Sequence, residues 1–316
     1  MEFFNPNANI PFMSWRKITM GISAFLILAS ILLLATRGLD LALDFTGGTL
    51  VEVEFEQPVE IEKVRTALDT AGFENFTVQS IGGAREAAMR LPPQVKGEQT
   101  VESQRQVAEA VAKALSSAGL KPTVKRSEFV GPQVGKELAE DGIIAVVFVI
   151  LTIMAYVAMR FEWRFGLSAI AGEAHDLIIT LGFVSLMGLS FDLTVLAGLL
   201  TVAGYSINDK VVVFDRVREI FRSARKLGPE DTINKAINNT LSRTIITGIT
   251  TFFALFSLYF LGGPVIEGFA ITVIFGIVVG TLSSIFFCNP LLLWLGVSKS
   301  DLQVVKKEDP ELALRP

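Results

Sequence analysis

The sequence predicts a membrane protein, an all-α bundle of six transmembrane helices in a 1+5 arrangement, with an inserted α+β domain outside the cytoplasm. Hydrophobic residues make up 51% of the 316 residues and charged residues only 19%, whereas soluble chains are about one-quarter charged. Long apolar runs recur along the chain, and a stretch of mixed composition, 37–141, separates the first from the second. That stretch has the pattern of a ferredoxin-like (βαββαβ) domain.

Six apolar runs are long enough to cross about 30 Å of hydrocarbon. They lie at about 18–36, 142–159, 166–188, 194–214, 241–260 and 268–288. Arg16 and Lys17 precede the first run, which is typical of a signal peptide. No small-x-small cleavage site follows it, and the run is longer than a signal core, so we interpret it as a retained span.

The distribution of Lys and Arg predicts the orientation. Basic residues precede the first span and crowd the loop between the fourth and fifth, whereas the connections at 189–193 and 261–267 contain neither Lys nor Arg. We therefore expect a multi-pass protein of the cytoplasmic (inner) membrane with both termini in the cytoplasm and residues about 38–141 outside. The predicted domains are 1–37 (N-terminus and first helix), 38–131 (external domain), 132–297 (five helices, with an amphipathic cytoplasmic helix near 229–240) and 298–316 (cytoplasmic tail).

The external domain is predicted from its own periodicity. Alternation in 49–55 indicates a strand, and helical spacing of apolar residues in 59–72 and 101–119 indicates two helices. Two further strands flank Gly82-Gly83, a hairpin signal, and 122–130 is predicted as the closing strand. Because the domain lacks clustered catalytic residues, we expect a docking module rather than an enzyme.

Several function classes are excluded by composition. The net charge of −4 leaves no basic surplus for nucleic acid, and one cysteine with one histidine cannot build a zinc cage or an intrachain disulfide. Residues 131–137, GPQVGKE, are one residue short of a phosphate loop and end in Glu. We therefore predict no enzyme activity, no cofactor and no metal.

Polar residues inside the fourth run are the strongest functional signal. Asn208, Asp209 and Lys210 follow one another in an otherwise apolar run, although an Asp at the centre of a membrane helix costs about 2.5–3.5 kcal/mol. Arg243 begins the fifth run at a similar depth, so we predict that Asp209 and Arg243 form an ion pair. Lys210 is expected to extend to the interface, and Ala197, Thr201, Gly204 with Gly276, Gly280, Ser284 are expected to permit close packing.

A second polar group lies in the third run. Glu173 and Asp176 share a helix face, whereas His175 and Asp176 are neighbours that should point apart. Two interpretations stay open: polar groups bonded within the bundle, or residues that handle protons.

Five segments together resemble the SecF side of the bacterial SecD/SecF family of protein-export membrane proteins. They are DFTGG (44–48), VGPQVGKEL (130–138), AHDL (174–177), GYSINDKVVVFDRVRE (204–219) and LSRTIITGITT (241–251). The resemblance covers nearly the whole chain, and the family is similar to half of a resistance-nodulation-division transporter. Lys210 departs from the family pattern, where a small or hydroxylated residue is common, and Glu173 is unexpectedly acidic.

The resemblance implies a role and partners. It implies a subunit that pairs with SecD and, with the SecYEG channel and the SecA motor, assists preprotein export using the proton gradient rather than a cofactor, surrounded by membrane lipid. It implies that Asp209 and Arg243, with Asn208, His175 and Asp176, couple protons to motion. Asp44, Phe45, Thr46, Gly47 and Gly48 match the signature beside the first helix.

Our hypothesis is a conformational machine in which a proton from outside neutralises Asp209, loosens its ion pair and shifts the fourth and fifth helices. The motion would pass through the first two helices to a sheet that grips emerging polypeptide. One alternative is a small-solute proton-driven exporter half, which would need larger external insertions. Another is a non-conducting structural adaptor for SecD and the channel.

Overall fold

The computed structural model describes residues 9–80, 83–92, 101–223 and 227–298. In chain order the helices and strands are α1 (Arg16–Thr36), β1 (Asp40–Leu41), α2 (Leu43–Thr46), β2 (Gly48–Phe55), α3 (Ile61–Thr70), β3 (Thr77–Ser80), β4 (Glu86–Leu91), α4 (Val101–Ser117), β5 (Pro122–Val130), α5 (Pro132–Arg160), α6 (Trp163–Met187), β6 (Ser190–Phe191), α7 (Leu193–Ser223), α8 (Pro229–Leu261), α9 (Pro264–Ser283) and α10 (Asn289–Trp294). A 3-10 turn, Phe12–Trp15, precedes α1, and a π-helical turn, Ser284–Cys288, joins α9 to α10.

Six of the described helical segments are long and apolar enough to cross a membrane by length and composition. Each coincides with one of the six predicted spans, which confirms a helical membrane protein with a small sheet region. The helices extend beyond the apolar runs, because polar residues at a helix end do not interrupt the backbone hydrogen bonds. The predicted tail, 298–316, lies almost wholly outside the described residues, as does Gly82 of the predicted hairpin signal.

The predicted separate amphipathic helix near 229–240 is wrong. These residues form the first turns of α8, which continues unbroken to Leu261. Pro229 starts the helix at a position where its missing N–H is not needed, and no second breaker separates 229–240 from the apolar part. Ile233, Ala236 and Ile237 are buried in the core of the bundle rather than lying at the membrane surface.

A four-stranded sheet follows α1. Its strand order is β3-β4-β2-β5, and all neighbours are antiparallel. With α3 and α4 the elements follow one another as β2-α3-β3-β4-α4-β5, and the helices cover one face over a core that includes Val51, Leu68, Met89 and Leu115. The opposite face carries polar residues, as the strand alternation predicts.

A short parallel pairing joins the sheet region to the helices. β1, just after α1, pairs with β6, in the connection between α6 and α7, through Asp40 with Ser190 and Leu41 with Phe191. Arg90 of β4 donates to the Asp40 carboxylate (Nη1 to Oδ1, 3.1 Å) and to Ser190 Oγ. Sequence periodicity did not predict this junction, since two-residue strands leave no periodic pattern.

The long helices fall into two sets. In the most apolar window of α6, of α7 and of the segment from α9 to α10, half or more of the residues are buried by other parts of the protein. In the corresponding windows of α1, α5 and α8, only 11% of the residues are buried. The first set therefore forms the interior of the bundle, and the second presents its apolar side chains outward.

Candidate functional site

Asp209 lies in the interior of the bundle on α7. Its side chain is buried, and Thr281 Oγ1 of α9 lies 3.4 Å from its Oδ2. Asn208, one residue earlier, is on the exposed face of the same helix. The two predicted site residues therefore point in different directions, and only Asp209 lies between helices.

The predicted ion pair between Asp209 and Arg243 is not formed. Within the described residues no contact within 4 Å joins their charged atoms, and Arg243 is exposed. Arg243 instead lines a cavity of about 330 Å³ between α7 and α8, together with Asp215, Glu219 and Asn239. Their similar depth in the sequence correctly placed both residues on neighbouring helices, but the hydrogen-bond partner of the Asp209 side chain is Thr281 of α9.

Lys210, rather than Arg243, supplies the buried positive charge. The predicted extension of Lys210 to the interface is wrong, since its side chain is 0% exposed. Its Nζ lies 2.7 Å from Asp176 Oδ2, 3.2 Å from Glu173 Oε2 and 2.6 Å from Ser206 Oγ. We call Glu173, His175, Asp176, Ser206, Lys210 and Ser283 the charge cluster.

Asp176 is the centre of the charge cluster. Ser283 Oγ of α9 donates to its Oδ2 at 2.8 Å, and Ser206 Oγ of α7 donates to the same oxygen. His175 Nδ1 lies 2.7 Å from its Oδ1, so the prediction that these neighbours point apart is wrong. Successive helical residues project about 100° apart, yet a short carboxylate and a ring nitrogen next to the backbone still meet.

The arrangement is not a nucleophilic triad. A triad needs the histidine between the hydroxyl and the carboxylate, whereas here Asp176 lies between Ser206 and His175. Within the described ranges there is also no group of three His, Cys, Asp or Glu side chains arranged to hold a metal ion.

Glycines allow the helices around the cluster to approach closely. A Cβ added at Gly172 of α6 would lie 2.1 Å from Cys288 Sγ and 2.8 Å from Lys210 Cε. Gly276 and Gly280 of α9 pack against Val202 and Ser206 in the same way, which confirms the prediction of close packing for these two glycines.

The predicted packing face of α7 is wrong. Ala197, Thr201 and Gly204 are exposed, and a Cβ at Gly204 would meet nothing within 4 Å. The face that packs on α9 instead carries Gly198, Val202 and Ser206.

The π-helical turn shapes the wall opposite Lys210. It is stabilised by Asn289 Nδ2, which donates to Ser284 O at 2.6 Å, and by Ser168 Oγ of α6, which donates to Cys288 O at 2.7 Å. Single π turns inside α-helices are frequent at functional sites. Phe287 of this turn stacks on the His175 ring with centroids 4.4 Å apart.

The predicted signature beside the first helix forms a structural junction. Asp44 Oδ2 accepts from Leu193 N at 3.0 Å, which satisfies a free N–H at the start of α7. Gly47 and Gly48 have positive φ angles of 67° and 119°, and a Cβ at either would collide with Pro132 or Leu91 backbone atoms. The segment therefore fixes the sheet, α5 and α7 relative to one another.

Phe45 and Thr46 complete this junction. The Phe45 ring lies 5.7 Å from the Phe191 ring, and Thr46 Oγ1 donates to Ala42 O at 3.1 Å. The signature is thus about 150 residues away in sequence from the strand and helix that it contacts.

A bundle of long apolar helices that encloses buried carboxylates and an ammonium group defines a polytopic membrane protein with a charged interior, and such charges indicate a functional site. The family described as "Protein export membrane protein SecD/SecF, C-terminal" matches residues 110–298, and the one described as "SecD/SecF GG Motif" matches residues 32–59. The chain belongs to the SecD/SecF family and is an integral membrane protein of the cell membrane.

Curated relatives match along the whole chain. The protein translocase subunit SecF of Vibrio alginolyticus is 47% identical, over 100% of this chain and 99% of that protein. The protein translocase subunit SecF of Escherichia coli O157:H7 is 43% identical, over 94% of this chain and 92% of that protein.

Solved structures of SecDF have the same fold. The crystal structure of SecDF from Thermus thermophilus matches with a TM-score of 0.82 at 36% identity, over 93% of this chain. A SecDF structure in a super-membrane-facing form matches with a TM-score of 0.67 at 36% identity, over 94% of this chain. In both cases the chain spans about 40% of the length of SecDF.

Proposed function

We propose that this chain is the SecF subunit of a SecD–SecF complex, which assists preprotein export by the SecYEG channel and the SecA motor using the proton gradient. The full-length identity to proteins named protein translocase subunit SecF supports the assignment. Because the chain matches 40% of SecDF, we infer that SecD contributes the remaining part of the complex. The proposal includes no enzyme activity and no cofactor.

The proposed topology has both termini in the cytoplasm, α1 as the first span, and α5 to α9 as the other five. The domain between α1 and α5, 38–131, is then a ferredoxin-like module outside the membrane. Its βαββαβ order and antiparallel sheet support this part of the proposal. Asp44, Gly47 and Gly48 would transmit movement between α7 and the sheet, since they contact both.

The single observation that supports proton coupling most strongly is a buried carboxylate, Asp209, between α7 and α9. A buried charge of this kind is costly in a membrane and indicates a function. In the proposal, Asp209 takes up a proton, and the loss of its charge changes the packing of α7 on α9. Arg243 lines the cavity between α7 and α8 together with Asp215, Glu219 and Arg216, and in the proposal it acts with Asp209 in coupling the proton to helix movement.

The two SecDF structures support a moving part. They match this chain at the same identity, but the TM-scores of 0.82 and 0.67 differ. This difference in similarity favours a matched region that can adopt more than one arrangement. We propose that this chain also alternates between two arrangements.

A structural adaptor is the second candidate, and one observation favours it. Lys210 is locked by three acceptors in the interior, an arrangement expected of a fixed scaffold. In that case the chain would hold SecD against the channel without binding protons during export.

The test is export by membranes that contain the chain with SecD, with and without a proton gradient. We expect Asp209→Asn to abolish the stimulation of export by the gradient, because the amide keeps the size of the side chain but cannot bind the proton. Glu140→Gln, at an exposed carboxylate near the start of α5, is the control and should behave as the wild type. Wild-type stimulation in Asp209→Asn, at equal expression, would favour the adaptor.

A further inference from the structure

The positive and negative charges of the charge cluster are not equal in number. Its ionisable members are Lys210, with one positive charge, and the carboxylates of Glu173 and Asp176, with one negative charge each. With His175 neutral, the cluster has one excess negative charge. All four side chains are buried, and an uncompensated buried charge is strongly destabilising.

Two of the members have no capacity for a further proton. Lys210 directs its three N–H donors to Asp176, Glu173 and Ser206, so its ammonium form is fully used. Asp176 accepts from Lys210, Ser206 and Ser283 at Oδ2, and His175 Nδ1 lies at Oδ1. A carboxylate surrounded by so many donors stays ionised.

The other two ionisable side chains of the cluster, Glu173 and His175, each have a polar atom without a hydrogen-bond partner. Glu173 Oε1 and His175 Nε2 are buried and have no hydrogen-bond partner among the described residues. Glu173 has a single contact to Lys210, at 3.2 Å through its other oxygen. Buried polar atoms without partners are rare, and each requires an explanation.

Two further ionisable groups, Cys288 and Asp209, lie beside the charge cluster. Cys288 of the π-helical turn packs against Gly172 and the Lys210 side chain, and a neutral thiol adds no charge. Asp209 is the chain neighbour of Lys210 but faces Thr281. Within the described residues no further Lys or Arg is in contact with Glu173 or Asp176.

We propose that the charge cluster is a second proton-binding site, separate from Asp209, in which Glu173 accepts one exchangeable proton and His175 is the alternative acceptor. Loading converts the Glu173 carboxylate to a carboxylic acid and brings the cluster to zero net charge. Lys210 is the fixed counter-charge that keeps Asp176 ionised throughout. The inference deepens the proposed function, and it rests on that function only for the use of this proton in export.

The site lies where it can influence Asp209. Ser283 of α9 binds Asp176, and Thr281, two residues earlier, lies beside Asp209. Neutralising Glu173 weakens its attraction to Lys210, the residue next to Asp209 on α7. The two sites are therefore connected through α7 and α9 without any direct contact between Glu173 and Asp209.

The test uses the full chain in lipid nanodiscs, without a histidine tag, because the sequence contains a single histidine. Labelling with 15N-histidine then reports His175 alone, and infrared difference spectra report protonated carboxyl groups. In the Asp209→Asn background above about pH 6, where ordinary carboxyls are ionised, we expect one carboxylic-acid band that disappears as the pH is raised further. The His175 resonances should shift over the same pH range.

Glu173→Gln should remove that band, whereas Glu140→Gln, an exposed control on α5, should leave it unchanged. Above about pH 6, where ordinary carboxyls are ionised, a carboxylic-acid band that persists in Glu173→Gln, or the lack of any such band together with unchanged His175 resonances, would overturn the proposal. The second of these outcomes is measured without any substitution in the charge cluster, so the test can be carried out even if Glu173→Gln does not fold. Failure of Asp209→Asn to impair export would refute the proposed function and leave these spectra unaffected.

Discussion

The inner helices α6, α7 and α9 differ from the outer helices α1, α5 and α8 in what they bury. In their apolar windows the inner segments are 50–56% buried and the outer ones 11%. Glu173, Asp176, Asp209 and Lys210 all belong to α6 and α7. The comparison shows that these four charged residues lie on the helices that other parts of the protein bury most.

Hydropathy reflects this difference only in part. Mean hydropathy is lowest for α6 and α7, at 1.4 and 1.2, and reaches 2.7 for α5. The segment from α9 has a value of 2.3 although it is the most buried. A helix between two polar helices can itself be apolar, because it contributes only hydroxyl groups such as Ser283 to the polar centre.

Removing the buried ammonium group should have the largest effect. We expect Lys210→Met to destabilise the protein by about 3–5 kcal/mol, because it leaves two buried carboxylates without their partner. Thermal unfolding of the purified protein in nanodiscs measures this loss of stability. Lys136→Met, at a side chain that is 79% exposed on α5, is the control, and equal melting temperatures for the two variants would contradict the comparison.

Closing the helix contacts should have the next largest effect. Gly276→Ala places a methyl group 2.2 Å from Val202, and overpacking of this kind costs about 1–3 kcal/mol. Gly204→Ala, on the exposed face of α7, should be neutral or stabilise by up to about 1 kcal/mol, because alanine is the better helix former. If both variants unfold alike, α7 and α9 do not pack as described.

Disrupting the junction between the sheet and the helices should have a smaller effect than either of these two changes. We expect Arg90→Gln to cost about 1 kcal/mol, since the Arg90–Asp40 pair is only partly buried. Spin-label distances between the sheet and the end of α6 should broaden in this variant. Lys121→Gln, which breaks an exposed ion pair within the sheet region, should leave those distances unchanged, and equal broadening in both variants would contradict a specific role for Arg90.

The smallest effect concerns Glu52 on the open face of the sheet. Burial raises the pKa of this carboxyl above its usual value of 4.5, with Arg126 opposing the shift. The pKa of Glu52 is raised only in the folded state. The contribution of Glu52 to stability is therefore highest below pH 4.5 and falls as the pH rises through the folded-state pKa. Glu52→Gln should remove this fall, which we expect to be below about 0.5 kcal/mol after solvent screening. A steeper pH dependence of unfolding in the variant would contradict this assignment.

The sequence predicted the spans and the sheet elements well, because apolar length and strand alternation are local signals. It also identified Asp209, His175 and Asp176 as residues that require an explanation. It failed on side-chain partners: Arg243 was matched to Asp209 by depth alone, and Lys210 was assigned to the interface. Depth is readable from a helix, but the partner of a buried charge depends on rotation about the helix axis and on neighbours from distant parts of the chain.

The sequence did contain a signal for the contact between Glu173 and Lys210, because both residues were recognised as unusual. Both depart from the resemblance pattern, and they lie on helices that are neighbours in the structure. Two unexpected charges of opposite sign in adjacent apolar runs predict a pair when they are considered together. The two-residue strands β1 and β6, in contrast, left no signal in the sequence.

The most direct test of the account is whether the inner helices move when protons bind. Spin labels on Leu167 of α6 and Leu282 of α9, both half-exposed, are placed in a Cys288→Ala background and measured at low and high pH. The account predicts two distance distributions that differ between the pH values and coincide in the Asp209→Asn, Glu173→Gln double variant. Identical distributions at both pH values in the otherwise wild-type protein would contradict it.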